Sequence, residues 1–331
     1  MAARLDAPVL GVQETYAGPN RWQVSMNWRY QPSHRHFVGS EEQTQRAADE
    51  SEVINNINLA ELGIRYNATP QWSFSLGIPY MIAKRSSPIR DSNRVVIARS
   101  RVESQSVGDI VLSAHHLLWK PLTHPDGNIS FGLGVKFPTG QYDAKDTRLR
   151  LVNGQYVTDV TTVDQSIQPG DGGYGVMLDL AGFQRFMHTG FAVYGSASYL
   201  INPRNTNGVP TFRNNLGEEV MSVADQYVAR IGGSYSDKSW KGLGVSFGGR
   251  LEGVPVKDLV GSSDGFRRPG YAISAEPGVS WSHGPHTFSI DVPIAVYRNR
   301  TRSVADRLVP GRHGDAAFAD YIVMVGYWRK Y

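Results

Sequence analysis

Three observations predict an all-β fold, a transmembrane antiparallel up-and-down β-barrel of about twelve strands. Apolar and polar residues alternate with period two along most of the 331-residue chain. The alternating segments run to about 10–14 residues, long for a soluble strand and right for a tilted strand crossing a bilayer. The connections between them are alternately short and long.

The alternation is read directly from the residues. Trp22, Val24, Met26, Trp28 and Tyr30 interleave with Gln23, Ser25, Asn27 and Arg29. Phe131, Leu133, Val135 and Phe137 interleave with Gly132, Gly134 and Lys136, and Leu243, Val245 and Phe247 with Gly244, Ser246 and Gly248. Successive strand side chains point to opposite faces, so each segment has one greasy and one polar face. Such segments fall near 21–31, 53–66, 71–82, 106–120, 129–140, 172–186, 191–202, 224–235, 242–254, 270–281, 287–298 and 319–331.

The expected long loops are 32–52, 83–105, 141–171, 203–223, 255–269 and 299–318, separated by short turns. Antiparallel succession places all long loops at one end, the outer end of an outer-membrane barrel, and both termini on the periplasmic side. Residues 21–331 are thus the expected barrel and 1–20 an N-terminal periplasmic segment, a tail or a partial plug. Greasy-face aromatics at strand ends, among them Trp22, Tyr30, Trp72, Tyr80, Phe191, Tyr199, Tyr235, Trp281 and Tyr321, suit two interfacial girdles. A propeller is disfavoured because no repeat of about 40–50 residues is present.

Composition narrows the function. Charged residues are 19% of the chain, and the longest apolar run near the C-terminus is Tyr321 to Val325, far short of a membrane helix of about 20 residues. The absence of cysteine removes thiolate chemistry, disulfides and Cys-ligated zinc. A net charge of +4 without a basic block gives nucleic-acid binding no support. The first residues, Met1 to Asp6, lack the apolar core of an export signal, so the leader is expected to have been removed already.

Several short phrases carry a family resemblance: Pro79-Tyr80, Gly108-Asp109, Phe137-Pro138-Thr139-Gly140 and Gly170-Asp171-Gly172-Gly173-Tyr174-Gly175 before Asp179. Over roughly 60–331 the chain resembles the outer-membrane transporter-like proteins associated with the meta-pathway of phenol degradation. That resemblance implies a barrel passing small hydrophobic or aromatic compounds and brings no catalytic residues. The aromatic last residue, Tyr331, resembles the signal such barrels present to their assembly machinery.

If the greasy face meets lipid, the inward face carries Arg29, Glu61, Arg65, Asp109, His115, Lys136, Asp179, Arg230, Arg250, Glu252, Glu276 and Asp291. These charges either line a selective constriction or fill the barrel as a paired network. Reversing Arg230 and Arg250 to Glu is expected to shift ion selectivity with the fold intact. No cofactor or metal is implied. His115 and His116 point to opposite faces, and the pairs His34/His36 and His283/His286 read as solvated. Gly170-x-Gly172-x-x-Gly175 lacks the strand-then-helix setting of a dinucleotide site.

Within 141–171, Asn153-Gly154 between two extended runs predicts a β-hairpin, standing on the wall or folded into the pore. The leading expectation is a passive channel for small solutes in the outer membrane of a Gram-negative bacterium, in contact with lipid and lipopolysaccharide. A structural or partner-binding barrel with a closed lumen is the alternative. A barrel enzyme is a third reading; on the lipid face it has only His116 to work with.

Overall fold

The computed structural model describes residues 21–186 and 189–331. The expected segment 1–20 lies outside the described residues. Twelve strands form the wall: β1 Arg21–Ser33, β2 Ile54–Asn67, β3 Trp72–Arg90, β4 Ile110–Leu117, β5 Gly127–Phe137, β6 Gly175–Arg185, β7 Phe191–Ile201, β8 Gln226–Ser236, β9 Leu243–Val254, β10 Gly270–His283, β11 His286–Asp291 continued by Ile294–Asn299, and β12 Val323–Lys330. Each pairs antiparallel with its sequence neighbours, and β12 closes on β1 from Gln23↔Lys330 to Tyr30↔Val323. The fold is a closed twelve-stranded antiparallel β-barrel.

The greasy face points out along the whole wall. Met26, Phe74, Leu112, Leu133, Leu180, Ile231, Phe247, Val279 and Ile290 are all exposed. No soluble protein leaves so wide an apolar band in water, so lipid must cover it. Rings from neighbouring strands meet in two belts near the strand ends. Toward the short turns, Trp22 meets Tyr66 at 4.7 Å, Phe191 meets Tyr235 at 4.6 Å and Phe288 meets Tyr327 at 4.8 Å between centroids. Toward the long loops, Tyr199 meets Tyr227 at 6.3 Å and Tyr271 meets Tyr297 at 5.9 Å. His116 belongs to the first belt, its ring 4.5 Å from that of Trp72.

One expected loop is mostly strand. Residues 83–105 continue β3 to Arg90, turn at 91–95 and return as Val96–Val107, paired from Tyr80↔Val107 to Arg90↔Val96. The chain breaks at Gly108-Asp109 before β4 begins. Above the membrane both faces of a hairpin meet water or polar loops, so no greasy face marks it in the sequence. β11 is likewise broken, at Val292-Pro293, because proline cannot donate to the ladder.

The outer loops tie to one another. Arg35–Val38, just beyond β1, pairs with Ala316–Phe318, and Thr206–Pro210 pairs with Val220–Ser222. The Asn153-Gly154 hairpin forms between Lys145–Val152 and Gln155–Thr162, with Asn153 at φ 49° and Gly154 at φ 77°, as a two-residue turn of this hand requires. It stands against the Val96–Val107 strand, where Ser100 accepts the Leu149 amide at 3.1 Å. The base of the same loop behaves differently. Val163 and Ile167 are buried with Ala144 against Ile57, Met81 and Ala83 on the inner face of β2 and β3. The loop thus stands upright at its tip and folds inward at its base.

Candidate functional site: the lumen and its roof

The phrases that carry the family resemblance converge at the point where the chain turns inward. Gly108, Gly140 and Gly170 stack backbone on backbone, so that a Cβ on Gly140 would lie 2.7 Å from the Gly108 carbonyl carbon and 2.9 Å from the Gly170 Cα. Only glycine permits that approach. Asp109 locks the junction by accepting the Gly140 amide at 3.0 Å and the Asp171 amide at 3.1 Å. Thr139 donates its hydroxyl to the Gly108 carbonyl at 3.1 Å and accepts the Ile110 amide at 2.9 Å. Lys136 salt-bridges Asp171 and lies 3.8 Å from Asp109. The consequence is mechanical: residues 165–171 are fastened over the lumen.

A cavity of about 420 Å³ runs beneath this junction. Gln165, Ser166, Gln168, Pro169, Gly170, Met221, Arg267 and Arg268 line its outer part, and Gln23, Ser25, Ser75, Ser113 and Trp328 its inner part. Loop side chains hold the roof. Arg268 forms two hydrogen bonds to Asp164, both 2.8 Å, and Arg85 lies 3.4 Å from the same carboxylate. Arg213 and Arg268 both pack on Phe266, their guanidinium carbons 4.0 and 4.6 Å from the ring centroid. Burial pushes the Asp164 carboxyl up. The charges of Arg268 and Arg85 and the hydrogen bonds from Arg268 and the Ser166 amide outweigh it and hold Asp164 well below the usual carboxylate range. One ionised carboxylate therefore joins loop 141–171, the loop before β10 and the outer end of β3.

The twelve charged positions singled out in the sequence fall into two sets. Arg29, Glu61, Arg65, Asp109, His115, Lys136, Asp179, Arg230, Arg250 and Asp291 line the cavity, while Glu252 and Glu276 are buried behind it. On β8 to β11 the charges are packed into pairs. Arg230 and Arg250 are cross-strand neighbours, an unfavourable juxtaposition that acids must relieve. Arg230 pairs with Glu276 and lies 3.6 Å from Asp291. Arg250 bonds Glu252 at 2.7 Å, and Glu252 also accepts from Arg29 at 2.9 Å. The side chains of Arg230 and Arg250 are 4% and 1% exposed. Reversing both would set carboxylates against Glu252 and Glu276, so the expectation of an intact fold gives way to one of lost stability.

On β2 to β6 the inner face mixes charges with small residues. The register aligns Arg65, Ser75, Ser113 and Gly134 in one row. Ser75 and Ser113 lie 2.8 Å apart, and His115 Nε2 lies 3.2 and 3.0 Å from them. A Cβ on Gly132 would lie 2.6 Å from His115 Nδ1, so that imidazole lies back against the wall. Serines, glycines and side chains laid flat keep this side of the lumen clear.

The closed barrel, its roofed lumen and its outward apolar band invite comparison with solved structures. An outer-membrane channel from Pseudomonas putida F1 matches with a TM-score of 0.60 at 11% identity, over 99% of this chain and 100% of that one. The two share a fold. The toluene transporter TodX of Pseudomonas putida, with a TM-score of 0.47 at 9% identity over 94% and 90%, is less similar. So is the translocator domain of the autotransporter NalP from Neisseria meningitidis, at 0.46 and 10% over 93% and 88%. Likeness at that level carries no argument about function. No family model matches the chain, and no curated protein does.

Sequence reasoning missed Asp164, Arg85, Arg268 and Trp328. Asp164 and Arg268 sit in loops without periodicity, and Arg85 on the outer part of β3, where the sequence predicts a loop. Trp328 was legible, because its parity places it with Met324 and Gly326 on the inner face. His36 and His286, expected from the sequence to be solvated, make specific contacts. His36 bonds Asp315 at 2.9 Å and accepts the Val53 amide at 2.8 Å, and His286 bonds the Tyr327 hydroxyl at 2.9 Å. Among the described residues no group of three or more His, Asp or Glu is arranged to hold a metal ion.

Proposed function

We propose that the protein is a passive outer-membrane channel for small hydrophobic or aromatic solutes in a Gram-negative bacterium. The observation that carries the reading is the cavity inside the barrel, running from the roof of residues 165–171 down to Ser75, Ser113 and Trp328. A lumen kept only for rigidity would be packed throughout, as it is around the buried ion pairs of β8 to β11. The solute class rests on the resemblance to the phenol meta-pathway proteins. The Pseudomonas putida barrel of the same fold is an outer-membrane channel, which supports a transport role. Lipid and lipopolysaccharide meet the apolar band and outer loops in this reading, and the assembly machinery reads the C-terminal strand.

In the same reading the charged positions divide by task. Arg29, Arg230, Arg250, Glu252, Glu276 and Asp291 fill and stiffen one wall. Glu61, Arg65, Asp109, His115, Lys136 and Asp179 face the solute path and tune what passes, as lumen charges do in other pores. The roof favours a second reading, a partner-binding barrel closed by its own loops. Planar-bilayer recording of the purified full chain separates them. The channel reading expects discrete conductance steps, and a folded, inserted protein that carries no current overturns it in favour of the closed barrel.

A further inference from the structure

Six of the seven tryptophans share one environment. Trp22, Trp28, Trp72, Trp119, Trp240 and Trp281 are exposed, and each lies against another aromatic or imidazole ring, with centroids 4.5–6.1 Å apart. That is the interfacial role of the residue. Trp328 departs from it. It is half-buried and lines the cavity, and among the described residues its indole meets no other ring and makes no hydrogen bond.

Its position is built by its neighbour. A Cβ on Gly326 would collide with the Trp328 six-membered ring, at Cη2, Cζ3 and Cζ2 alike, so the indole lies flat over bare backbone. The register frames that plane with polar side chains. Ser25 and Thr287 flank Trp328, and Asn27 and Ser289 flank Gly326. The result is a flat apolar plate edged by hydroxyls and an amide, in a wall otherwise lined by small polar groups.

We infer that Trp328, lying on Gly326, is a stacking shelf for planar aromatic solutes that carry polar ring substituents. The plate offers its face to a flat ring and dispersion contact over that ring's whole area. The hydroxyls and amide around it offer partners to the substituents. A puckered aliphatic ring of the same size and charge makes the second set of contacts and forfeits the first. This site deepens the proposed channel function and rests on it for solute access to the lumen.

The test uses a matched pair, 4-hydroxybenzoate and 4-hydroxycyclohexanecarboxylate, added to the full-length protein in a planar bilayer. The aromatic solute is expected to block the current for roughly three- to tenfold longer than its saturated counterpart, the range stacking on one ring supplies. Trp328→Leu should abolish that preference and Trp328→Phe should restore part of it. Gly326→Ala should abolish it with the indole still present, because the added methyl lifts the ring off the wall. Equal blockade by the two solutes, or a preference that survives Trp328→Leu, overturns the shelf. A wild-type barrel without current overturns the channel reading instead. Titration calorimetry of the same pair and variants in detergent then decides the shelf by the same two criteria.

Discussion

The two sides of this barrel are built from the same outer face and opposite inner faces. From β8 to β11 the inward positions hold Arg230, Arg250, Glu252, Glu276 and Asp291, drawn into buried ion pairs. From β2 to β6 the inward charges Glu61, Arg65, His115, Lys136 and Asp179 are interspersed with small residues such as Gly63, Ser75, Gly77, Ser113, Gly132 and Gly134, and the cavity runs past them. The difference teaches that strand number alone does not set the bore of a barrel of this size. The inner residues do, and here they close one half and leave the other clear.

The largest effect is expected where the loop base covers the clear half. Replacing residues 163–171 with a short Gly-Ser linker removes Asp164, the Ile167 anchor and the lumen-lining stretch together. Single-channel conductance should rise several-fold, and an unchanged conductance would mean the path does not run under this roof. The filled half should respond in stability. Glu252→Gln removes the carboxylate that Arg29 and Arg250 share, and breaking a buried pair in this way costs about 3–5 kcal/mol. The midpoint of urea unfolding in lipid should fall accordingly, and an unchanged midpoint would deny the network its structural role.

A smaller effect belongs to the outer sheet between Arg35–Val38 and Ala316–Phe318. Burial pushes the Asp315 carboxyl up, but the hydrogen bond and charge of His36 and the charge of Arg46 outweigh it and bring it down to about 2. A depressed carboxylate stabilises the fold above its unfolded value of about 4. That contribution is lost as pH falls through about 2. Amide exchange across 316–318 should accelerate in that window in the wild type. In Asp315→Asn it should already be fast at neutral pH, and a variant as protected as the wild type would remove Asp315 from the sheet's support. The smallest effect is expected from the hairpin tip: deleting 147–160 should leave conductance nearly unchanged, since that segment leans on Val96–Val107 outside the lumen.

Much of the wall was legible in the sequence, because lipid outside and water inside impose opposite demands on alternate residues. Met26 beside Asn27 and Phe247 beside Gly248 declare their faces without any structure. The hairpin of 83–107 was illegible for the same reason in reverse: above the bilayer both faces are polar and the alternation disappears. Charged inward positions were found by parity, but parity does not say which carboxylate reaches which guanidinium. The pairing of Arg29 with Glu252 joins residues 223 apart in sequence and exists only once the barrel closes. Asp164 was missed because a loop carboxylate looks like any solvated charge until Arg85 and Arg268 are brought beside it from distant parts of the chain.

The absence of native cysteine makes the division between the two walls directly testable. Ser113→Cys places a thiol on the clear wall, and Ser274→Cys places one at a buried position on β10. Each variant is recorded in a planar bilayer during addition of a charged methanethiosulfonate reagent. Current through Ser113→Cys should fall as the reagent reacts, while current through Ser274→Cys should persist. Equal modification of both, or current through Ser113→Cys that the reagent leaves untouched, would contradict a solute path running past Ser113 and away from the buried face of β10.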